Sequence, residues 1–348
     1  MRLLSHACAI ALIACVAGLS FGGWMWIQPP PPEVLFPQTP AEDVIVCFSA
    51  GNSIYRATSW GGSFSNVQTL ATSPRNYCSV QIYGATNSWY VDQQGNGPWI
   101  STNAGVSWVS RTVGANCNIM ACGGAYGQIV LVGRGSGYPM LSTNWGQSWS
   151  TLTSLPYAAW RGAFVSTNGA VLALCGDSQN IWLSWDTGNT WVSRSPPAGS
   201  PSYHRQLYCS QNGTNIFLGH YNGYCYMSYD AGQTWTQIAD MPSGQYYEFG
   251  AWGSADFKHI YSLQYANNPN ATLWHSENAG TNWTATSWSG DGQFYMISCT
   301  PDGKYVVIRT CDGNKYLIGS KDYGATLEVI EATTRDRSGV FVWSGRLK

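Results

Sequence analysis

An eight-residue motif recurs seven times along the chain, and this repeat restricts the possible folds more than any other feature. It reads SYDAGQTW from Ser228, and its relatives begin at residues 57, 101, 142, 184, 276 and 320. Successive copies therefore start 41 to 48 residues apart. A near-constant period of this length is typical of repeat architectures, in which each copy belongs to one structural unit.

The repeated octet has the chemistry of a turn. Its serine stands at offset 0, an Asp or Asn at offset 2, a glycine at offset 4 and a tryptophan at offset 7. A short acceptor at offset 2 can satisfy turn N–H groups, and glycine supplies a positive φ. Asn replaces Asp in three copies, so we predict a structural role without catalysis or calcium binding. The matching residues are Ser101, Asn103, Gly105, Trp108, Ser142, Asn144, Gly146, Trp149, Ser184, Asp186, Gly188, Trp191, Ser228, Asp230, Gly232, Trp235, Ser276, Asn278, Gly280, Trp283, Ser320, Asp322 and Gly324.

Each repeat contains four short runs with strand character, bounded by turn residues. From Cys78 they read CSVQIYG, SWYVDQ, PWISTN and SWVSRT, and the octet joins the third run to the fourth. A four-stranded unit of about 42 residues is the size of a propeller blade. The first repeat lacks one strand, and SGVFVWSG at residues 338–345 is surplus. We therefore predict an all-β, seven-bladed β-propeller whose ring is closed by the C-terminal strand completing blade 1.

The octets resemble Asp-boxes, also called BNR repeats, and the resemblance covers residues 41–348. Propellers with Asp-boxes include sialidases, xyloglucan-cleaving glycoside hydrolases, sortilin-type receptor domains and photosystem II assembly factors. The resemblance implies the propeller architecture. Because these relatives differ in activity, it implies no single function.

Composition and the N-terminus indicate a location outside the cytoplasm. Charged residues make up only 10% of the chain, and the net charge is −1, so no global field recruits nucleic acid. Residues 3–27 carry no charge and are long enough to span a bilayer as one hydrophobic helix. We predict a signal anchor in residues 1–27; a cleaved signal peptide and a lipoprotein signal remain open. Six prolines in residues 29–40 indicate that residues 28–40 form a stiff linker to a propeller at residues 41–348.

Cysteine and histidine spacing indicates no metal or cofactor site. The chain has eleven cysteines but no CxxC motif, and no Cys/His cluster has zinc spacing. Most cysteines lie in apolar runs and are predicted to be buried thiols. One or two disulfides remain open if the domain is extracellular.

The loops opposite the octets hold a concentration of polar and aromatic residues, which predicts a ligand site at that face. The candidate binding residues are Arg75, Trp160, Arg161, His204, Arg205, Tyr246, Tyr247, Glu248 and Arg337. If the protein is an enzyme, a sialidase-like arrangement would use Tyr247, Glu248, Asp291 and Asp336. The Arg-Ile-Pro segment of sialidases is absent, and sialidases have six blades. His204 and His220 are interpreted as hydrogen-bonded loop residues and not as metal ligands.

Three functions fit these patterns. The first is a non-catalytic recognition or structural module, membrane-tethered and displayed outside the cytoplasm, that binds a glycan or protein ligand. It would suit a cell envelope or a virion. The second is a glycoside hydrolase with a sialidase-like site, and the third is an assembly factor that binds a membrane-protein partner.

Overall fold

A computed structural model describes most of the repeat region as β-structure. It describes residues 44–50, 53–69, 89–93, 97–102, 107–114, 117–197, 203–242, 250–264, 271–290, 293–311, 316–332 and 337–344. The strands within these ranges are β1 (Val44–Ala50), β2 (Ser53–Ala57), β3 (Ser65–Thr69), β4 (Trp89–Gln93), β5 (Gly97–Ser101), β6 (Val109–Ser110), β7 (Cys117–Gly123), β8 (Ile129–Arg134), β9 (Met140–Ser142), β10 (Ser150–Thr151), β11 (Trp160–Val165), β12 (Leu172–Gly176), β13 (Ile181–Ser184), β14 (Val192–Arg194), β15 (His204–Cys209), β16 (Ile216–His220), β17 (Cys225–Ser228), β18 (Thr236–Gln237), β19 (Ala251–Gly253), β20 (Ile260–Gln264), β21 (Ala271–Ser276), β22 (Thr284–Trp288), β23 (Gln293–Cys299), β24 (Val306–Cys311), β25 (Tyr316–Ser320), β26 (Glu328–Ala332) and β27 (Arg337–Ser344).

These strands form seven antiparallel sheets, which confirms the all-β propeller prediction. Sheet I has the order β27-β1-β2-β3, and sheet II, within the described residues, consists of β4-β5-β6. Sheets III to VII each contain four consecutive strands, β7–β10, β11–β14, β15–β18, β19–β22 and β23–β26. From sheet III to sheet VII, the first strand of each sheet contacts the first strand of the next: β7 contacts β11, and the series continues through β15, β19 and β23. β23 in turn contacts β27 of sheet I. The innermost strands therefore line the centre of the assembly.

The C-terminal strand completes sheet I, as the sequence predicts. β27 pairs antiparallel with β1 through seven residue pairs, from Val44 with Ser344 to Ala50 with Arg337. β27 thus occupies the innermost position that β7, β11 or β15 occupies in its own sheet. One sheet consequently joins the first described strand of the chain to the last.

In sheets III to VI, burial falls from the second strand toward the outermost strand. Every residue of β12 and β16 is buried, and both strands read as apolar runs because sheets pack against each of their faces. Every residue of β10 and β18 is exposed, and these strands are short and polar. The core lies between adjacent sheets: Phe217 of sheet V, for example, packs against Trp283 of sheet VI with ring centroids 5.3 Å apart.

The octet serine is the centre of a repeated hydrogen-bond network. In sheet V, the amide of Gly232 donates to Ser228 Oγ at 2.8 Å, and that hydroxyl donates to Asp230 Oδ1 at 2.9 Å. The same Oδ1 accepts the amide of Thr234 at 2.8 Å. Asn144 accepts the equivalent bonds in sheet III at 3.0 Å each. This equivalence explains why Asn and Asp interchange at offset 2, because both supply the oxygen that the turn requires.

The octets also connect neighbouring sheets. Gly188 has a φ of +84°, and a Cβ there would lie only 2.7 Å from the Leu141 side chain of the preceding sheet. Glycine is therefore needed both for the positive φ and because the two sheets approach closely at this point. Arg194 Nε donates to the Ala231 carbonyl of the next octet at 2.8 Å. Trp60 of the first octet donates to Glu328 of sheet VII at 2.7 Å. Each of these octets therefore packs on the sheet before it, and the first packs on the seventh.

A second repeated turn, which the sequence analysis missed, joins the first and second strands. In sheet IV, Ser166 Oγ donates to Asn168 Oδ1 at 2.7 Å and accepts the Val171 amide at 2.9 Å. The Ala170 carbonyl of this turn accepts the Thr187 amide of the octet at 3.0 Å. Thr187 has a φ of +57° although it is not glycine. Related contacts recur in sheets III, V, VI and VII, so both turns lie on the same side, here called the octet face.

The predicted N-terminal helix and linker, residues 1–40, lie outside the described residues. In the part of the chain that the structure describes, we find no helix with the length and apolar character that a membrane crossing requires.

Candidate functional site

Two of the predicted arginines meet on the side opposite the octet face. The first strands run toward the octets, so β11 and β15 begin on the far side. Arg161 is the second residue of β11, and Arg205 is the second residue of β15. Asp177 directly follows β12 and forms an isolated antiparallel bridge with Tyr203 of the neighbouring sheet. This bridge brings residues of sheets IV and V into one group.

Arg161, Asp177 and Arg205 form a charged group that we call the Arg–Asp cluster. Arg161 Nε and Nη2 each lie 2.8 Å from Asp177 Oδ2. Arg205 Nη2 lies 3.8 Å from Asp177 Oδ1. The three side chains are 14–25% exposed, so they are shielded but within reach of solvent. Because two cations share one carboxylate, the cluster carries a net positive charge.

Tyrosine rings surround Arg205. Its guanidinium carbon lies 5.7 Å from the centre of the Tyr203 ring and 5.5 Å from that of Tyr221. The two rings meet edge to face at 6.2 Å, and the Tyr221 amide donates to the Tyr203 carbonyl at 2.9 Å. These distances are within the range of cation–π attraction. Tyr203 is 48% exposed, so one aromatic surface beside the cluster is open to a ligand.

Other exposed tyrosines lie on the same side as the Arg–Asp cluster. Tyr157 is 64% exposed and precedes β11, and Tyr224 is 38% exposed and precedes β17. Tyr157 also packs edge to face against Tyr138 at 5.5 Å. Exposed aromatic rings beside guanidinium donors can stack on sugar faces or anchor an interface.

His204 and His220 are buried core residues and not ligand contacts. They are paired across β15 and β16, with ring centroids 4.7 Å apart, and are 1% and 0% exposed. His220 Nδ1 donates to the Tyr224 carbonyl at 2.9 Å. Burial lowers the pKa of His204 to about 4 and that of His220 to about 3, although Asp177 partly opposes the shift at His204. Both rings are therefore neutral at pH 7.

We expect acidification to destabilise the fold through these histidines. Their folded pKa values lie below the unfolded value of 6.5, so the unfolded state binds more protons. Their contribution is complete above pH 6.5 and is lost as pH falls through 6.5 toward 4 and 3. Each imidazole should remove roughly 1.4 kcal/mol of unfolding free energy per pH unit in that window. Urea unfolding between pH 7 and pH 5, where carboxylates stay ionised, measures the slope.

The control for this pH dependence is His220→Asn, whose amide can still donate to the Tyr224 carbonyl. We expect the slope of unfolding free energy against pH to decrease by the contribution of about one proton, roughly 1.4 kcal/mol per pH unit. An unchanged slope in this variant would show that His220 does not titrate on unfolding.

Trp160, a predicted binding residue, is fully buried at 0% exposure. Its Nε1 donates to the Gly137 carbonyl at 3.0 Å, and its own carbonyl accepts Asn118 Nδ2 at 2.6 Å. Trp160 therefore connects sheets III and IV and fixes the start of β11. Any effect it has on a ligand is exerted through the position of Arg161.

Within the part of the chain that the structure describes, none of the remaining predicted site residues lies in this group. Arg75, Tyr246, Tyr247, Glu248, Asp291 and Asp336 lie outside the described residues. Arg337 is the first residue of β27 and pairs with Ala50. Their assignment to the site stays a prediction.

The sequence analysis missed Tyr221 as a contact of Arg205, and it missed Tyr157 and Tyr224 as exposed rings on the same side. One signal was present: Asp177 and Tyr221 each follow the last residue of the second strand in their repeat. Aligning the repeats by strand ends, and not only by octets, places these two residues at one equivalent position.

Comparison with known proteins supports the fold. No protein-family profile matches the chain. A xyloglucanase from a Paenibacillus species is 26% identical over 283 residues, which is 66% of this chain and 27% of that protein. The chain thus spans about a quarter of the curated relative it matches.

Solved structures share the architecture at low sequence identity. The xyloglucanase of Xanthomonas campestris superposes with a TM-score of 0.61 at 14% identity, covering 87% of this chain and 52% of that enzyme. YCF48 from Cyanidioschyzon merolae gives a TM-score of 0.54 at 12% identity, covering 74% and 85% of the two chains. YCF48 bound to a D1 peptide gives 0.53 at 16% identity, covering 74% and 82%. This chain is a β-propeller, and these likenesses establish its fold alone.

Proposed function

We propose that this protein is a non-catalytic recognition module that binds a glycan on the side opposite the octet face. The observation that carries the proposal is the Arg–Asp cluster and the tyrosine rings around it. Arginine donors suit the hydroxyl and carboxylate oxygens of sugars, and exposed rings suit their apolar faces. We further propose that residues 3–27 anchor the protein in a membrane and that the linker holds the propeller outside the cytoplasm.

The arrangement of Asp177 favours binding over hydrolysis. Its Oδ2 accepts a hydrogen bond from Arg161 Nε and lies 2.8 Å from Arg161 Nη2 in an ion pair, which fixes it as a structural partner of the guanidinium. Glycoside hydrolysis ordinarily needs two carboxyl groups about 5–9.5 Å apart that are free to act on the sugar. A carboxylate held in this way orients arginine donors more readily than it attacks or protonates a substrate.

A glycoside hydrolase is the second candidate, and the 26% identity to a xyloglucanase favours it. In that case, the catalytic carboxylates would be supplied by residues such as Glu248, Asp291 or Asp336. An assembly factor is the third candidate. It is favoured by the structural likeness to YCF48, which has been solved with a D1 peptide.

The decisive experiment exposes the full chain, in detergent, to a glycan array and to xyloglucan oligosaccharides. We expect saturable glycan binding that Arg205→Ala weakens at least tenfold, because the substitution removes the cation between Tyr203 and Tyr221. Tyr126→Ala changes a 54% exposed ring next to the octets and should leave affinity unchanged. Reducing ends are measured in the same samples.

Release of new reducing ends by the wild type would contradict the non-catalytic proposal and favour the hydrolase. Failure to bind any glycan, together with capture of a hydrophobic peptide, would favour the assembly factor. Equal weakening by Arg205→Ala and Tyr126→Ala would remove the Arg–Asp cluster from the site.

A further inference from the structure

Two histidines and a glutamate converge on the octet face of sheet VI. His259 directly precedes β20, His275 lies on β21, and Glu277 is the second residue of the octet. His259 Nδ1 lies 3.2 Å from His275 Nε2, and His275 Nδ1 lies 3.9 Å from Glu277 Oε1. One possible ligand atom from each residue lies within 4.8 Å of the others.

We propose that His259, His275 and Glu277 form a binding site for a divalent transition-metal ion such as Zn²⁺. Zinc prefers imidazole nitrogens at 2.0–2.1 Å and accepts carboxylate oxygens in tetrahedral geometry. Two nitrogens bound at the tetrahedral angle are about 3.3 Å apart, and the observed separation is 3.2 Å. Three protein ligands leave one position for water.

The surroundings hold both imidazoles in place. Tyr323 stacks on His259 with centroids 4.5 Å apart, and Tyr261 stacks on His275 at 4.7 Å. His259 and His275 are 7% and 3% exposed, whereas Glu277 is 64% exposed. The ion can therefore enter beside Glu277, whose exposed side chain would turn from His275 Nδ1 toward the facing nitrogens, His275 Nε2 and His259 Nδ1.

The location gives the site a structural consequence. Tyr323 belongs to the octet of sheet VII, while the three ligands belong to sheet VI. An ion bound there would fix His259 against Tyr323 and so stiffen the junction between the two sheets. The two histidines stand sixteen positions apart in the chain, which explains why ligand spacing in the sequence does not reveal the site.

The test is calorimetric titration of the EDTA-treated full chain with ZnCl₂ at pH 7.5. We expect one saturable site per chain and a higher Tm in the presence of zinc, because the ion binds the folded state. Glu277→Gln should weaken binding at least tenfold, and His259→Gln should abolish it. Glu331→Gln, which removes a carboxylate from the outer strand of sheet VII, serves as the matched control and should bind as the wild type does.

A second readout keeps the proposal testable if His259→Gln fails to fold. The wild-type chain loaded with one equivalent of Cu²⁺ should show coupling to two imidazole nitrogens in its electron paramagnetic resonance spectrum. The proposal is overturned by absence of saturable zinc binding or by a copper spectrum without nitrogen coupling. It is also overturned if folded Glu277→Gln binds zinc with wild-type affinity.

Discussion

Deletion of residues 337–348 is expected to prevent the protein from folding. The deletion removes β27, which pairs with β1 through seven residue pairs and contacts β23 and β24 of sheet VII. Without it, β1 would expose the N–H and C=O groups that now bond to β27, and unpaired edges of this kind promote aggregation. Far-UV circular dichroism and urea unfolding of the purified chain measure the loss, together with the soluble yield.

Deletion of residues 345–348 alone is the matched control, because it leaves β27 intact. We expect this shorter deletion to unfold at the wild-type urea concentration. A peptide spanning residues 335–348, added to the larger deletion during refolding, should restore part of the soluble yield. If the larger deletion folds cooperatively with an unchanged midpoint, β27 does not hold sheet I together.

The period of the octets predicts the sheets and the order of their strands, because each repeat contains the same turn chemistry and the same succession of strands. The run DVIVCFSA becomes β1 (Val44–Ala50), and SGVFVWSG becomes β27 (Arg337–Ser344) to within one residue. In the octets that begin at residues 142, 184, 228, 276 and 320, the serine and the Asp or Asn form the predicted hydrogen bonds, and the glycine has a positive φ. These features depend on residues fewer than ten positions apart, so their pattern is readable along the chain.

Contacts between sheets were less accessible to sequence reasoning. The turn at Ser166 was missed because its motif is shorter and more variable than the octet. The bridge between Asp177 and Tyr203 depends on how two adjacent sheets pack, which no spacing within one repeat encodes. Sequence reasoning therefore located the face that carries these charged residues but not the ion pairs that join Asp177 to Arg161 and Arg205.

Composition also could not show which of the predicted site residues are buried in the core. Trp160 and Arg161 are adjacent in a sequence segment that was interpreted as a loop, and both were predicted to contact a ligand. The register of β11 against β12 shifts between Trp160 and Gly162, so Arg161 is the extra residue of a β-bulge, which redirects a side chain locally; it reaches Asp177 while Trp160 enters the core. The same shift between His204 and Gln206 makes Arg205 the extra residue of β15, beside the buried His204.

Trp160→Ala is expected to lower the free energy of unfolding by about 3–5 kcal/mol, the range for removal of a large aromatic side chain from a core. Trp160 is 0% exposed, packs with Leu131 and Leu174 in one cluster, and bonds to the Gly137 carbonyl. Alanine would leave a cavity between sheets III and IV and remove one of the two hydrogen bonds that the Gly137 carbonyl accepts, the other coming from the Ala158 amide. Urea unfolding at pH 7 measures the change.

Two variants separate the parts of this effect. Trp160→Phe keeps most of the ring but loses the bond to Gly137, so it should cost about 1–2 kcal/mol. Trp185→Ala removes a tryptophan that is 37% exposed and bonds to the Asn212 carbonyl, and should cost roughly 1 kcal/mol for the same reason. The phenyl ring of Trp160→Phe still fills the core position that fixes the start of β11, so this variant should preserve glycan binding. Arg205→Ala should not preserve it. Equal destabilisation by Trp160→Ala and Trp185→Ala would show that burial at this junction does not set the stability of the propeller.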